Sequence, residues 1–159
     1  MKRRELIKSM GLASLVGTSA LWLYGCEKDP VEPMVEEELS ERDKLIINRD
    51  RMSISDPNNP TDFELTHLPN IDVLNTDSLG FTRVDISMGS QGFIHGISDL
   101  HWNDYIKLFL DGELVAHNQF EVNIARGFSS FFVPLEGVNT VSVEIGCNLH
   151  GIWENVLSL

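Results

Sequence analysis

The sequence predicts an all-β sandwich that carries a metal site in loops at one end. From about residue 63 onward, short runs of alternating apolar residues are separated by turn residues, a pattern typical of strands. In Thr82–Met88, for example, Val84, Ile86 and Met88 fall on one face. About 95 residues suffice for one such core, the size of an immunoglobulin-like domain. We predict no helix in this region.

The other strands are predicted from apolar runs that end at turn signals. Tyr105–Leu110 leads into Asp111-Gly112 and then Glu113–Val115, which indicates a hairpin whose tight turn needs positive φ. Further strands are predicted at residues 120–124, 130–133 and 140–145. We interpret Phe131 and Phe132 as core residues.

The first residues have the pattern of an export signal. Lys2-Arg3-Arg4 is typical of the twin-arginine route, and the apolar stretch that follows is too short and too weakly apolar to span a membrane. It ends in Leu23-Tyr24-Gly25-Cys26, which resembles a bacterial lipobox. We expect residues 1–25 to be removed and Cys26 to be the lipid attachment site, so that a membrane-anchored lipoprotein faces the periplasm or the cell exterior. An uncleaved anchor and a Sec signal are the alternatives.

Residues 26–62 are predicted to be an acidic, flexible tether. Prolines, the run Glu36-Glu37-Glu38 and the segment Asp56–Pro60 leave little apolar surface to bury. A short helix over about residues 35–47 fits the spacing of the few apolar side chains. The folded domain is therefore predicted to span residues 63–159.

The charge of the chain excludes one class of partner. The formal net charge is −12, and it becomes more negative by three without residues 1–25, which hold four basic residues and one acidic residue. No basic patch is present to neutralise phosphates, so nucleic acid is not a partner. An anionic substrate would be repelled at long range unless a local positive patch attracts it.

Four histidines and one cysteine fall at predicted strand ends or in loops, and loops at one end of a sandwich can converge on a point. Imidazole and thiolate suit iron, copper and zinc. If Cys26 is lipidated, Cys147 has no disulfide partner, and a metal bond would protect its thiol. His117 lies outside this set. The four histidines are His67, His95, His101 and His150, and the cysteine is Cys147.

These segments resemble the iron domain of superoxide reductases, the desulfoferrodoxin and neelaredoxin family. The family has a His-x-Pro element, here His67 to Pro69, then two histidines six residues apart, then Cys-Asn-x-His-Gly-x-Trp, here Cys147 to Trp153. The resemblance implies one mononuclear iron ringed by the four histidines, with Cys147 below the ring. It also implies that Trp153 shields the site.

The same resemblance implies an oxidoreductase that reduces superoxide by one electron to hydrogen peroxide. No four-cysteine rubredoxin-type module precedes the domain, so the electron must come from a separate donor protein, which the sequence does not identify. The sequence leaves a homo-oligomer open.

The resemblance breaks at the first ligand. Many family members have Glu-Lys-His, where the glutamate caps the iron and the lysine attracts superoxide, but this chain has Leu65-Thr66-His67. In an extended segment, Glu64 would point to the other side. Lys107 and Arg126 are candidate replacements for the lysine on charge alone.

Two other functions fit the same residues. The first is an iron protein that transfers electrons or senses small ligands without efficient turnover, as the changes at Leu65 and Thr66 suggest. The second is a cupredoxin-like copper carrier, because Cys147 and His150 lie near the end of a sandwich. No methionine follows His150 to serve as an axial copper ligand, which weakens the second alternative.

Overall fold

Residues 39–159 are described by the structure, a computed structural model. Within them, two sheets share one apolar core, which confirms the predicted sandwich. The strands are β1 (Arg51–Met52), β2 (Pro69–Thr76), β3 (Phe81–Met88), β4 (Asn103–Leu110), β5 (Glu113–Gln119), β6 (Phe128–Pro134), β7 (Thr140–Cys147) and β8 (Gly151–Ser158). Their order is β1-β8-β7-β4-β5 in one sheet and β2-β3-β6 in the other, and among these described strands only β1 and β8 pair in parallel.

Alternation along the strands builds the core and delivers one candidate ligand to its end. Successive side chains of a strand point to opposite faces. On β3 the predicted inward row is confirmed, since Val84 and Ile86 are fully buried. On β7 the inward row ends at Cys147, which is fully buried and belongs to the same apolar cluster. The inward residues of β7 are Val141, Val143, Ile145 and Cys147.

The hairpin between β4 and β5 is confirmed. Asp111 and Gly112 have φ of 46° and 85°, the positive values that this two-residue turn requires. The Asp111 carboxylate also accepts hydrogen bonds from the backbone N–H groups of Asn139 and Thr140. The turn is thereby attached to the start of β7.

Two details of the strand prediction are wrong. Residues 120–124 form a turn, in which Asn123 has φ of 53°, because the chain crosses there from β5 in one sheet to β6 in the other. Phe132 is 58% exposed. Adjacent residues of a strand face opposite sides, so only Phe131, which pairs with the buried Val84, packs against the core.

The described part of the predicted tether is attached to the sandwich. A 3-10 helix spans Asp43–Leu45, β1 pairs with β8, and the backbone N–H of Ile47 donates to the Asn148 carbonyl over 2.8 Å. Arg42 and Arg49 both pair with the buried carboxylate of Asp104. Residues 42–52 are thus part of the folded domain. The tether remains a prediction for residues 26–38, which, like the signal and Cys26, lie outside the described residues.

A helix forms where none was predicted. Helix α1 (Asp62–His67) begins with a capping box, in which the Thr61 side chain accepts from the Glu64 N–H and the Glu64 carboxylate accepts from the Thr61 N–H. The sequence Thr-Asp-Phe-Glu carries this signal. No helix within residues 39–159 is long and apolar enough to cross a membrane.

Candidate metal centre

The five candidate ligands are presented by a helix end, a strand end, a loop and a turn. His67 is the last residue of α1, and Cys147 is the last residue of β7. His95 and His101 lie in the loop between β3 and β4, and His150 lies in the turn between β7 and β8. The prediction that all five lie at strand ends or in loops is therefore wrong for His67 alone.

The five side chains converge on one point. One donor atom from each residue lies within 4.8 Å of every other. Donors on opposite sides of one first-row metal ion are about 4.0–4.6 Å apart, given metal–ligand distances of about 2.0–2.3 Å. His67 Nε2 is 2.8 Å from His150 Nδ1, and the latter is 3.6 Å from Cys147 Sγ. The cluster has the dimensions of a site for a single ion.

The orientation of His67 is fixed by the helix that carries it. Its Nδ1–H donates to the Phe63 carbonyl over 2.7 Å, four residues earlier in α1. This bond holds the tautomer in which Nε2 bears a lone pair, and a metal-binding histidine is commonly oriented in this way. The lone pair faces His150.

Two histidines of the β3–β4 loop, His95 and His101, have buried ring nitrogens that a metal ion could bind. His95 is almost fully buried, yet neither of its ring nitrogens makes a hydrogen bond of normal geometry, and the same holds for Nε2 of His101. A buried polar atom without a partner costs about 1–3 kcal/mol. A metal ion would satisfy one nitrogen of each histidine, so the residues fit a single metal ion.

The protonation states also suit metal binding. Burial, with a smaller contribution from the neighbouring histidines, lowers the pKa of His67 to about 4 and that of His95 to about 3. Burial also lowers the pKa of His101 and His150. Neutral imidazoles are the form that binds metals. Burial raises the pKa of the Cys147 thiol, so metal binding must release its proton.

Asn148 connects the segments that surround the cluster. Its side-chain oxygen accepts from the Trp102 N–H over 2.9 Å, and its Nδ2 donates to the carbonyls of Leu45 and Leu100. Its own carbonyl is therefore left to accept from Ile47 and Asn48. One buried side chain thus attaches the histidine loop and the N-terminal segment to the turn that bears Cys147 and His150.

The histidine loop is attached to α1 as well. The N–H of Ser90 donates to the Leu65 carbonyl over 2.9 Å, and that of Gly89 donates to the Leu68 carbonyl over 3.1 Å. Gly89 has φ of 106°, and a Cβ there would lie 2.3 Å from the Phe93 carbonyl oxygen, so no larger residue fits. His67 and His95 therefore keep a fixed separation.

Two aromatic rings cover the cluster. Trp153 is 1% exposed, stacks on His67 with centroids 5.4 Å apart, and donates its indole N–H to the His150 carbonyl. This confirms its predicted shielding position. Phe63, which was not predicted to lie at the site, has its ring centroid 4.4 Å from that of His67 and 5.1 Å from that of His150. The capping box could have predicted this position, because it indicates a helix and residues four apart lie on one helix face.

The residues before His67 are engaged elsewhere. Glu64 accepts from the backbone of Thr61 and Ser55, and these bonds lower its pKa to about 2. The segment is helical rather than extended, so the geometry predicted for Glu64 is wrong, but its carboxylate is committed to the helix cap. Leu65 is buried, and the Thr66 hydroxyl donates to the Asp62 carbonyl.

Neither basic candidate is placed at the site by a described contact. Lys107 lies on the face of β4 opposite to the buried Ile106 and Leu108, where it pairs with Glu144 over 3.2 Å. Cys147 points to the inner face, so Lys107 is on the wrong side of the sheet. Arg126 lies in the turn before β6, and no described side-chain contact links it to the cluster.

The family of the chain is shown by a match that covers most of the folded domain. Residues 59–156, more than half of the chain, match the desulfoferrodoxin family. This chain belongs to the desulfoferrodoxin family. No curated protein matches it significantly.

Solved structures agree with this membership. The superoxide reductase (1Fe-SOR) from Giardia intestinalis is 26% identical, with 59% of this chain and 98% of that chain covered at a TM-score of 0.51. Two further structures share the fold. The superoxide reductase from Nanoarchaeum equitans is 19% identical, with 59% of this chain and 93% of that chain covered at a TM-score of 0.52. The superoxide reductase (neelaredoxin) from Archaeoglobus fulgidus in the reduced form is 21% identical, with 59% of this chain and 89% of that chain covered at a TM-score of 0.52.

The buried histidines predict how stability depends on pH. In the unfolded chain they protonate near pH 6.5, whereas in the folded protein His67 and His95 stay neutral until about pH 4 and 3. Between these limits the unfolded state binds more protons, so the free energy of unfolding of the metal-free protein should fall as the pH drops from 6.5 to 5. Thermal unfolding at stepped pH measures this slope.

Two variants test whether the buried histidines cause this pH dependence. His95→Gln should flatten the slope, whereas His117→Gln, which changes an exposed histidine of β5, should leave it as it is. Equal slopes in the wild type and in His95→Gln would contradict the prediction.

Proposed function

We propose that this protein reduces superoxide to hydrogen peroxide at a mononuclear non-haem iron held by His67, His95, His101, His150 and Cys147. The observation that carries the proposal is the convergence of these five donors within 4.8 Å in a chain of the desulfoferrodoxin family. Each turnover consumes one superoxide, one electron and two protons. Iron, when bound, supplies the electron, and a separate donor protein restores it.

The chain's own groups would divide the remaining work. The four imidazoles hold the ion without adding charge, and the Cys147 thiolate donates electron density toward it. Trp153 and Phe63 keep water from the rings that they cover. His101 and His150 are partly exposed, so substrate and solvent protons would approach on their side. Glu64 and Thr66 are committed to hydrogen bonds within α1 and its flank, so neither is free to act as an acid.

Iron content and the visible spectrum test the site. The purified protein should contain one iron per chain, and after oxidation it should show a sulfur-to-iron charge-transfer band. Cys147→Ser should abolish this band because serine oxygen is a poorer electron donor than thiolate sulfur. A spectrum that is unchanged in this variant would show that Cys147 does not bind iron and would remove the proposal.

Substrate capture should be limited by charge. Superoxide is repelled by a chain of net charge −12, and no lysine stands at position 66. Thr66→Lys should therefore raise the second-order rate constant for superoxide several-fold at low ionic strength, as measured by pulse radiolysis of the reduced protein. Thr66 is partly exposed near the end of α1, where lysine is a good helix residue.

The control is Thr66→Gln, which has a similar length and no charge and should leave the rate unchanged. The gain in Thr66→Lys should shrink as salt is added, since screening weakens steering. An equal rate in the two variants would mean that charge at this position does not govern capture.

A second candidate is an iron protein that transfers electrons or senses small ligands without efficient superoxide turnover. The arrangement of residues 64–66 favours it, because Glu64 caps the helix, Leu65 is buried and Thr66 is uncharged. The wild-type pulse-radiolysis measurement separates the two. Decay of superoxide no faster than background would favour the second candidate, and fast decay would exclude it.

We also propose that the protein is exported and anchored to a membrane through a lipid on Cys26. Support comes from the arginine pair Arg3-Arg4 and the lipobox-like Leu23–Cys26 segment. In a bacterial host, the full chain should partition into the detergent phase of Triton X-114, and Cys26→Ser should move it to the aqueous phase. Detergent partition that is unaffected by Cys26→Ser would contradict lipid attachment at this residue.

A further inference from the structure

Asn103 is a buried polar residue that the proposed reaction leaves without a role. It opens β4, its exposed fraction is 0%, and neither its amide nitrogen nor its amide oxygen has a hydrogen-bond partner. Most buried polar side chains are partnered, because each unpaired group costs about 1–3 kcal/mol. A residue of this kind indicates a partner that appears only in another state of the protein.

The strand register places Asn103 beside Cys147. The two residues are directly opposite each other in the β4–β7 ladder. The adjacent bond from the Asn148 N–H to the Trp102 carbonyl, 3.2 Å long, makes Asn103 and Cys147 a non-hydrogen-bonded pair. In such pairs the Cα atoms are only about 4.5 Å apart, and the two side chains share one face of the sheet. The amide and the sulfur are therefore neighbours in the core.

The residues around the Asn103 amide offer it few other hydrogen-bond acceptors. Asn103 reaches across the sandwich to Gly127, just before β6, where a Cβ would lie 2.1 Å from its Nδ2. The Gly127 carbonyl already accepts from the Met88 N–H over 3.0 Å. Gly127 thus provides space for the amide, while its carbonyl is occupied by a backbone donor.

We infer that Asn103 donates a hydrogen bond from Nδ2 to the Cys147 sulfur when that sulfur is bound to iron, and that it thereby tunes the redox potential. A metal-bound cysteine is a thiolate, an acceptor far stronger than the thiol. The backbone N–H groups of Leu149 and His150 already point to this sulfur. The amide adds a third donor, from the opposite strand. Hydrogen bonds to a ligating sulfur withdraw charge from the metal and favour its reduced state.

The inference rests on the proposed iron site, and a potential measurement tests it independently of turnover. In Asn103→Leu the donor is lost at nearly constant volume, so more charge stays on the sulfur and the ferric state is favoured. The midpoint potential should fall by about 30 mV or more, which corresponds to a threefold change in the ferric-to-ferrous equilibrium at about 59 mV per tenfold. A spectroelectrochemical titration that follows the charge-transfer band gives this value.

Asn118→Leu is the control, since it removes an amide on β5 that bonds to Ser129 Oγ and not to sulfur; its potential should match the wild type. The metal-free Asn103→Leu protein should be at least as stable as the wild type, because it loses an amide that has no partner there. If leucine does not fit, Asn103→Ala gives the same readout.

The outcomes are distinct. A wild-type band with an unchanged potential in both Asn103 variants would overturn the role of Asn103 and leave the proposed function intact. Absence of an iron–thiolate band in the wild type would overturn both.

Discussion

The site depends on the hydrogen bonds of one buried side chain, that of Asn148. Three separate parts of the chain must meet around Cys147 and His150, and each would otherwise end there with unpaired backbone groups. The side-chain oxygen of Asn148, in place of its backbone carbonyl, accepts from the Trp102 N–H. The backbone carbonyl of Asn148 then accepts from the N–H groups of Ile47 and Asn48. The turn between β7 and β8 thereby becomes the common anchor of the histidine loop and the N-terminal segment.

Burial of the donors has two opposite effects on this anchor. Desolvation keeps His67 and His95 neutral, which makes them ready ligands, but it also leaves nitrogens of His95 and His101 without partners. The metal-free protein therefore holds unsatisfied groups at this end of the sandwich. An ion would satisfy one nitrogen of each histidine, so binding free energy and folding free energy are coupled at this site. The rigid backbone around Asn148 keeps the donors together until an ion binds.

The sequence was sufficient for the core because alternation is a local pattern, and it placed Val84 and Ile86 inside. The candidate ligands followed from the resemblance of their segments to a known family, and the structure brings these residues together. It was insufficient where the outcome depends on a distant partner. The two-residue strand β1 exists only because β8 lies beside it, and residues 120–124 have no strand to pair with. The burial of Asn103 could not be predicted either, because it depends on the pairing of Asn103 with Cys147 on another strand.

Helix α1 explains how the segment before His67 could change while the metal site stayed intact. His67 is positioned by the hydrogen bond from its Nδ1 to the Phe63 carbonyl and by the cap between Thr61 and Glu64, and neither uses the side chains of residues 65 and 66. Glu64, which lies one residue before the family's glutamate position, caps the helix. Ligand geometry therefore depends on burial and on hydrogen bonds to the backbone, whereas the proposed capture of superoxide would depend on charge near the cluster. The two requirements are carried by different residues, so the first can be met even where the second has changed.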